Sequence, residues 1–215
     1  MANRQLVLWR HGRTSWNLEQ RFQGQTDIPL DEVGEQQAKN AAQLLQHLKP
    51  VYIASSDLKR ANKTGLELAK LTNLEVTKDE LFRETAHGLW EGLTYSELKS
   101  KYEEEYLNWS AGKEIRPGTT GETRSEVAER MVQGINKHIQ NVSDNSVFVI
   151  ATHGGAARVA AGKLMGLPPH TWVSLGIISN CSWIVLNEPA KPSLPWRLVE
   201  YNAGSLPTPA LSDDR

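Results

Sequence analysis

The sequence predicts an α/β protein: a three-layer α/β/α sandwich with a mostly parallel central sheet and a small cap inserted over the strand ends. Three observations predict it. Short apolar runs of β type alternate along the chain with amphipathic helical segments, the pattern of βαβ units. The cleanest unit, "SVFVIATHGGAARVAAGKLMG", joins a fully apolar strand to an Ala-rich helix through a His-Gly-Gly turn. Finally, a loop-like stretch rich in charge and aromatics, "LFRETAHGLWEG" (81–92), breaks the alternation and opens the cap.

Taken in order, Leu6 to Trp9 reads as a buried first strand that stops abruptly at Arg10, His11 and Gly12. The segment 29–48 reads as a helix, with Asp31 as its N-cap and Ala38, Ala41, Ala42, Leu45 and Leu48 at helical spacing on its apolar face. Val51 to Asp57 is a second strand, 58–72 a second helix with Arg60 in its first turn, and 74–79 a third strand. Helical patterns follow around Tyr95 to Tyr106 and Glu122 to Gln140. After the His-Gly-Gly unit, "SNCSWIVL" and "PWRLVEYN" read as late strands near a sheet edge, and the tail after Asn202 carries no structural pattern. The simplest organisation is one domain over 1–205, with the cap at about 81–121 and a flexible tail over 206–215. No internal repeat or low-complexity linker divides it.

The totals exclude several classes. With 215 residues, 39% hydrophobic and 23% charged, the chain can bury a globular core. A formal net charge of -1 gives no basic field for nucleic acid, so any anion site must be built locally from a few convergent cations. One cysteine, Cys181, permits neither an internal disulfide nor a cysteine-rich metal site, and it reads as a small buried hydrophobe. Arg4 is followed by a strand rather than a signal core, and no apolar run approaches the ~18 residues of a membrane span. The expectation is a cytoplasmic protein with no membrane partner. The sequence leaves a homodimer open.

Two strands end in the same chemical style, in Arg10-His11-Gly12 and in His153-Gly154-Gly155. In open α/β sheets, ligands bind at the carboxyl ends of the strands. If the strands are parallel neighbours, Arg10, His11, Arg60 and His153 converge there on an anion pocket. Arginine offers a rigid fork of donors that matches phosphate oxygens. The helix N-termini near Arg60 and after His153, beginning at Gly154, would add backbone N–H donors. A neutral imidazole can attack phosphorus and form a covalent intermediate, while a second histidine donates to the phosphoryl oxygens as charge builds. The nucleophile needs its other ring nitrogen fixed by a backbone carbonyl, with Gly12 allowing that approach. The departing oxygen needs a proton, for which Glu84 is the candidate carboxylic acid and Glu91 the rival.

These motifs resemble those of the histidine phosphatase superfamily, in the branch of cofactor-dependent phosphoglycerate mutases and their phosphatase relatives. Arg10-His11-Gly12 matches its signature; "TSWN", "SSDLKRANKT", "ETAHGLWEG", "PGTTGET" (with Thr123 in place of a usual Ser) and "ATHGG" follow in family order, over nearly all of residues 5 to 202. The resemblance implies His11 as nucleophile, His153 and Glu84 as its catalytic partners, and Arg10, Arg60 and Asn17 as phosphate ligands. It implies a phosphomonoester hydrolase or a mutase acting on a small phosphorylated metabolite; no cofactor is expected, and since no His and carboxylate cluster has metal-site spacing, no metal is expected either. True mutases resemble one another in a lysine after the acid motif and paired arginines on the cap. Here Tyr95 falls near that lysine position, Lys99 is displaced, and Lys113 and Arg116 are the nearest cap cations. The departure favours water as acceptor. The late-strand and acid-motif sequences are similar to those of actinobacterial phosphatases of glucosyl-3-phosphoglycerate. A non-catalytic phospho-ligand module would have shed a nucleophile or an arginine, and neither is missing.

Other residues have plainer readings. His47 and His138 read as solvated helix positions, and His170 has no motif support. His87, three residues past Glu84, could face the substrate. Trp9 reads as core. Trp16, Trp90 and Trp109 are candidates to line the pocket, although tryptophan more often packs. Glu91 reads as support for its loop.

Overall fold

A computed structural model describes residues 3–204. The flexible tail expected over 206–215 lies outside them. Strands β1 (Gln5–Arg10), β2 (Tyr52–Ser55), β3 (Val76–Lys78), β4 (Val147–Thr152), β5 (Trp183–Asn187) and β6 (Arg197–Ala203) form one sheet in the order β3-β2-β4-β1-β5-β6. β1, β2, β3 and β4 run parallel; β5 lies antiparallel to β1 and β6 antiparallel to β5. The helices are α1 (Ser15–Leu18), α2 (Glu32–Leu45), α3 (Lys59–Thr72), α4 (Tyr95–Lys101), α5 (Glu103–Ser110), α6 (Arg124–Ile139) and α7 (Gly154–Leu164).

Period-two alternation divides the core into two layers. Leu6 and Leu8, with Phe148 and Ile150, pack on one face among Val127, Met131 and Ile135 of α6 and Ala157 and Ala160 of α7. Val7 and Trp9, with Val149 and Ala151, pack on the other among Ala38, Ala42 and Leu45 of α2 and Leu68 of α3. This is the expected α/β/α architecture. Leu6 to Trp9 of β1 are all apolar because both faces and both edges of the strand are covered.

Local signals place the helix ends. Asp31 caps α2 by accepting from Gly34 N, and Thr123 caps α6 in a reciprocal box with Glu126. The helical pattern expected around Tyr95 to Tyr106 is split in two at Tyr102, whose backbone leaves the helical region. α1 was not anticipated; its single turn is held by a capping box between Thr14 and Asn17. The cap segment packs Trp90 and Leu98 against Phe22 from the loop before α2, a small core walled by Tyr95, Tyr102, Tyr106 and Trp109.

His138 is not solvated. It is 2% exposed, lies on the face of α6 that carries Met131 and Ile135, and bonds Tyr52 Oη at 2.9 Å and Asp79 Oδ2 at 2.9 Å. A face that packs on the sheet accepts a histidine only when both ring nitrogens are satisfied, and here they are. His47 is exposed, as expected. Trp9 is core, donating to Cys181 O, and Cys181 is a buried thiol whose pKa burial pushes up.

Candidate active site

The register pairs Arg10 with Thr152, so the next residue of each strand, His11 and His153, must sit side by side. The backbone bond from His11 N to Thr152 O (3.0 Å) fixes that junction, and the imidazole centroids lie 5.2 Å apart. β2 ends beside β4, with Ser55 opposite Ala151, and delivers α3 with Arg60 in its first turn. The expected convergence of Arg10, His11, Arg60 and His153 is therefore present, at the point where the chain crosses over the sheet in opposite senses.

Hydrogen bonding assigns the two histidines opposite tautomers. His11 Nδ1 lies 2.7 Å from the Gly12 carbonyl, which can only accept, so Nδ1 carries the proton and Nε2 keeps its lone pair. Arg60 Nε donates to His153 Nδ1 at 3.2 Å, so the His153 proton sits on Nε2, a buried atom with no partner in the protein. Burial, followed by the charges of Arg60 and Arg10, holds His11 well below the usual imidazole range. Burial, then Arg60 and His11, does the same for His153. Both rings are neutral at physiological pH. Burial likewise brings Arg60 down to about 10, so it remains a cation there.

Gly12 supplies the carbonyl that fixes His11 Nδ1 and also meets a second constraint. A Cβ there would lie 2.3 Å from Gly34 O, so glycine is needed where the turn after β1 crosses the start of α2. Gly154 has a similar constraint: its Cβ would lie 2.7 Å from Ile177 and 3.2 Å from Arg10 Nε. Arg10 in turn donates to Ile178 O at 2.6 Å. Arg60, fully buried, also donates to Gly24 O and Thr26 O, both at 2.8 Å, and so ties the 24–26 loop to His153. Asn17 Oδ1 is engaged by Thr14 N, Thr14 Oγ1 and Asn180 Nδ2, which leaves its amide nitrogen to meet a ligand.

Three of the N–H donors at the two helix N-termini are taken by carboxylates of the protein itself. Glu84 accepts from Gly155 N (3.0 Å) and Ala156 N (2.8 Å) at the start of α7, and from Thr85 N (2.8 Å). Asp27 accepts from Lys59 N at the start of α3. Buried helix ends need acceptors, and a carboxylate at the positive end of a helix is the favourable one. Glu91 supports its loop, as read from the sequence, by accepting from Gln25 N, Thr26 N, Thr26 Oγ1 and His87 N.

The site opens into a cleft at the ends of the strands. Its walls include the expected Arg10, His11, Asn17, Arg60, Glu84 and Gly154, together with His87, Trp109, Tyr95 and Phe22. His87 is buried, its pKa lowered by burial, with Nδ1 unpartnered. Of the three candidate tryptophans only Trp109 lines the cleft; Trp90 is wholly buried in the cap core. The cap cations named from the sequence are turned to other work. Lys99 lies over the Tyr106 ring, Lys113 donates to Asn108, and Arg116 bonds Gly121 O and Glu126.

Sequence reasoning missed Arg21, Gln23, Arg124 and Arg158, all of which line the cleft. It also missed Arg130, which clamps the acid loop through the carbonyls of Leu81, Arg83 and Glu84 and pairs with Glu122. Arg124, Arg130 and Arg158 lie within segments whose helical pattern was legible. An arginine on the buried face of such a helix was the available signal.

Comparison with known proteins agrees with this geometry. The profile of the histidine phosphatase superfamily (branch 1) matches residues 6–203. The chain is 35% identical to a glucosyl-3-phosphoglycerate phosphatase of Mycobacterium tuberculosis, over 95% of this chain and 97% of that one. It is 34% identical to phosphoserine phosphatase 1 of Hydrogenobacter thermophilus over 85% of each chain. A mycobacterial glucosyl-3-phosphoglycerate phosphatase solved with vanadate superposes with a TM-score of 0.87 at 35% identity, covering 93% of this chain and 99% of that one.

Proposed function

The chain belongs to the histidine phosphatase superfamily, and on that premise we propose that it hydrolyses small phosphomonoesters through a covalent phosphohistidine on His11, with sugar or glycerate phosphates such as glucosyl-3-phosphoglycerate as its substrates. The observation that carries this reading is the pair of opposite tautomers: a lone pair on His11 Nε2 beside a proton on His153 Nε2.

In the first step His11 Nε2 forms a bond to phosphorus while the P–O bond to the alcohol breaks. Arg10, Arg60, the Asn17 amide and the His153 Nε2–H bind the three remaining oxygens, whose charge persists through the transition state. Gly154 leaves room for Arg10 beside them. Glu84 gives the departing oxygen its proton. Its Oε1 already accepts from Thr85 N and Ala156 N, whereas Oε2 accepts only from Gly155 N and keeps a lone pair to carry that proton. In the second step the Glu84 carboxylate takes a proton from water, the water oxygen bonds to phosphorus, and the P–N bond breaks.

Guanidinium groups supply the positive charge, so the reaction is read as metal-independent and cofactor-free. Water is the acceptor in preference to a second phosphoglycerate, because Lys99, Lys113 and Arg116 are engaged away from the cleft. The enzyme is read as cytoplasmic. Among the described residues no helix is long and apolar enough to cross a membrane, and the one cysteine stands without a disulfide partner. The test is a rapid quench with ³²P-labelled substrate, which should trap an acid-labile, base-stable phosphate on the protein that is lost in His11→Ala. An active His11→Ala enzyme would overturn the assignment.

A further inference from the structure

A general acid works only within hydrogen-bond reach of the departing oxygen, and Glu84 sits on a loop, the most mobile kind of segment. The groups that hold this loop lie outside the cleft: neither Arg130, within α6, nor Glu122 lines it. A guanidinium has five N–H donors, and Arg130 places every one of them. Three go to carbonyls of the acid loop, from Nη1 to Leu81 O (3.0 Å) and Arg83 O (2.6 Å) and from Nη2 to Glu84 O (2.8 Å). The other two go to Glu122, from Nε (2.7 Å) and from Nη2 (2.8 Å).

Glu122 carries this grip to the far side of the acid. Its Oε2 accepts from Ala86 N at 2.9 Å, and its own N–H donates to Ala86 O at 2.8 Å. The backbone is thus tied at Leu81, Arg83, Glu84 and Ala86, on both sides of the acid, while the Glu84 carboxylate is tied to α7. Only a planar fork can span three carbonyls and a carboxylate at once; a lysine ammonium has three donors on a single atom.

The phosphoryl side of the site is anchored separately. Gln25 Nε2 donates to Glu84 O (3.2 Å) and Glu122 Oε2 (3.3 Å). Its loop, however, is held by Arg60 through the carbonyls of Gly24 and Thr26, and by Glu91 through the N–H groups of Gln25 and Thr26. Loss of the Arg130 fork therefore frees the acid and leaves the phosphate ligands in place.

We propose that Arg130, braced by Glu122, is the positioning residue of the general acid: it sets where Glu84 meets the departing oxygen, and has no part in holding the phosphoryl group. This rests on the reading of Glu84 as the acid, and the experiment separates the two.

The variants are Arg130→Lys, which keeps the charge and loses the fork, and Glu122→Gln, which keeps the shape and loses the ion pair. The readouts are kcat/KM for glycerol 3-phosphate and for p-nitrophenyl phosphate, which covers the steps up to phosphorylation of His11, and the inhibition constant of vanadate. Because a misplacement of about 1 Å costs about a hundredfold, glycerol 3-phosphate should lose about tenfold to a hundredfold in Arg130→Lys, with p-nitrophenyl phosphate and vanadate changed by less than about threefold. Glu122→Gln should show the same selectivity with a smaller loss, and it carries the comparison should Arg130→Lys fail to fold. In a Glu84→Gln background, Arg130→Lys should add no further loss on glycerol 3-phosphate, since both changes act on one group. Equal losses on the two substrates, weakened vanadate inhibition, or a fully additive loss in that background would overturn the positioning role. A selective Glu84→Gln beside unselective Arg130→Lys and Glu122→Gln would overturn it alone; an unselective Glu84→Gln would overturn the acid reading and this role with it.

Discussion

Replacing Glu84 by glutamine should reveal two separate jobs in one side chain. The carboxylate accepts three backbone N–H bonds: Oε1 from Thr85 and Ala156, Oε2 from Gly155. Glutamine keeps one acceptor oxygen and turns an NH2 toward the remaining donor. One charge-assisted bond at the start of α7 is lost, worth about 1.5–3 kcal/mol. For a chain of this size that corresponds to a fall in Tm of about 3–12 °C by differential scanning calorimetry. The catalytic loss has a different signature. An alkyl phosphate such as glycerol 3-phosphate needs its oxygen protonated as the bond breaks, so its turnover should fall by about a hundred- to ten-thousand-fold. p-Nitrophenyl phosphate, whose leaving group is stable as an anion, should lose far less. Glu91→Gln, which removes loop support at four donors, should slow both substrates by a similar factor. Equal losses on alkyl and aryl phosphates in Glu84→Gln would refute the acid role, and an unchanged Tm would refute the capping role.

Three further outcomes are expected. Burial leads the causes that lower His11, His87 and His153, so the folded state binds fewer protons than the unfolded chain; stability should be fully present above about pH 6.5, the unfolded imidazole value, and fall as the pH drops below it, and a flat Tm between pH 7 and 5.5 would contradict this. Gly12→Ala should cost about 1–3 kcal/mol in urea unfolding, since its Cβ would lie 2.3 Å from Gly34 O; a variant as stable as the parent would show that the crossing has slack. His138→Ala, which removes the bond to Tyr52 Oη and one of the bonds to Asp79 at residues that do not line the cleft, should cost about 1–3 kcal/mol while leaving kcat intact; a selective loss of turnover would contradict its structural reading.

The strand ends were the most legible part of the site. A buried strand that runs into Arg10-His11-Gly12 advertises a carboxyl-end pocket, and the second such ending names its neighbour. The strand before 58–72 placed Arg60 beside them, the need for a proton on the departing oxygen singled out Glu84, and the family order of the motifs agreed with both. Arg124 and Arg158 stayed hidden because a helical arginine reads as solvated until the face it occupies is known, and the same ambiguity misplaced His138. The helix N-termini were legible only in part for a related reason: the sequence displays their donors but not the distant carboxylates, Glu84 and Asp27, that take those of Gly155, Ala156 and Lys59. The break at Tyr102 was invisible because helical periodicity continues on both sides of it.

The pairing of β1 with β4 also sets when in the life of the chain the site can exist. His11 is made among the first residues and His153 only after most of the chain, and nothing but that strand pairing brings them together. Contacts of such long sequence separation form late and slowly, after loop-closure entropy has been met. During synthesis the apolar β1 must wait for both of its neighbours, exposed to mispairing for that interval. Recovery of turnover after dilution from denaturant should accordingly lag behind recovery of helical signal, and enzymatic activity becomes a clock for the closing of the central sheet.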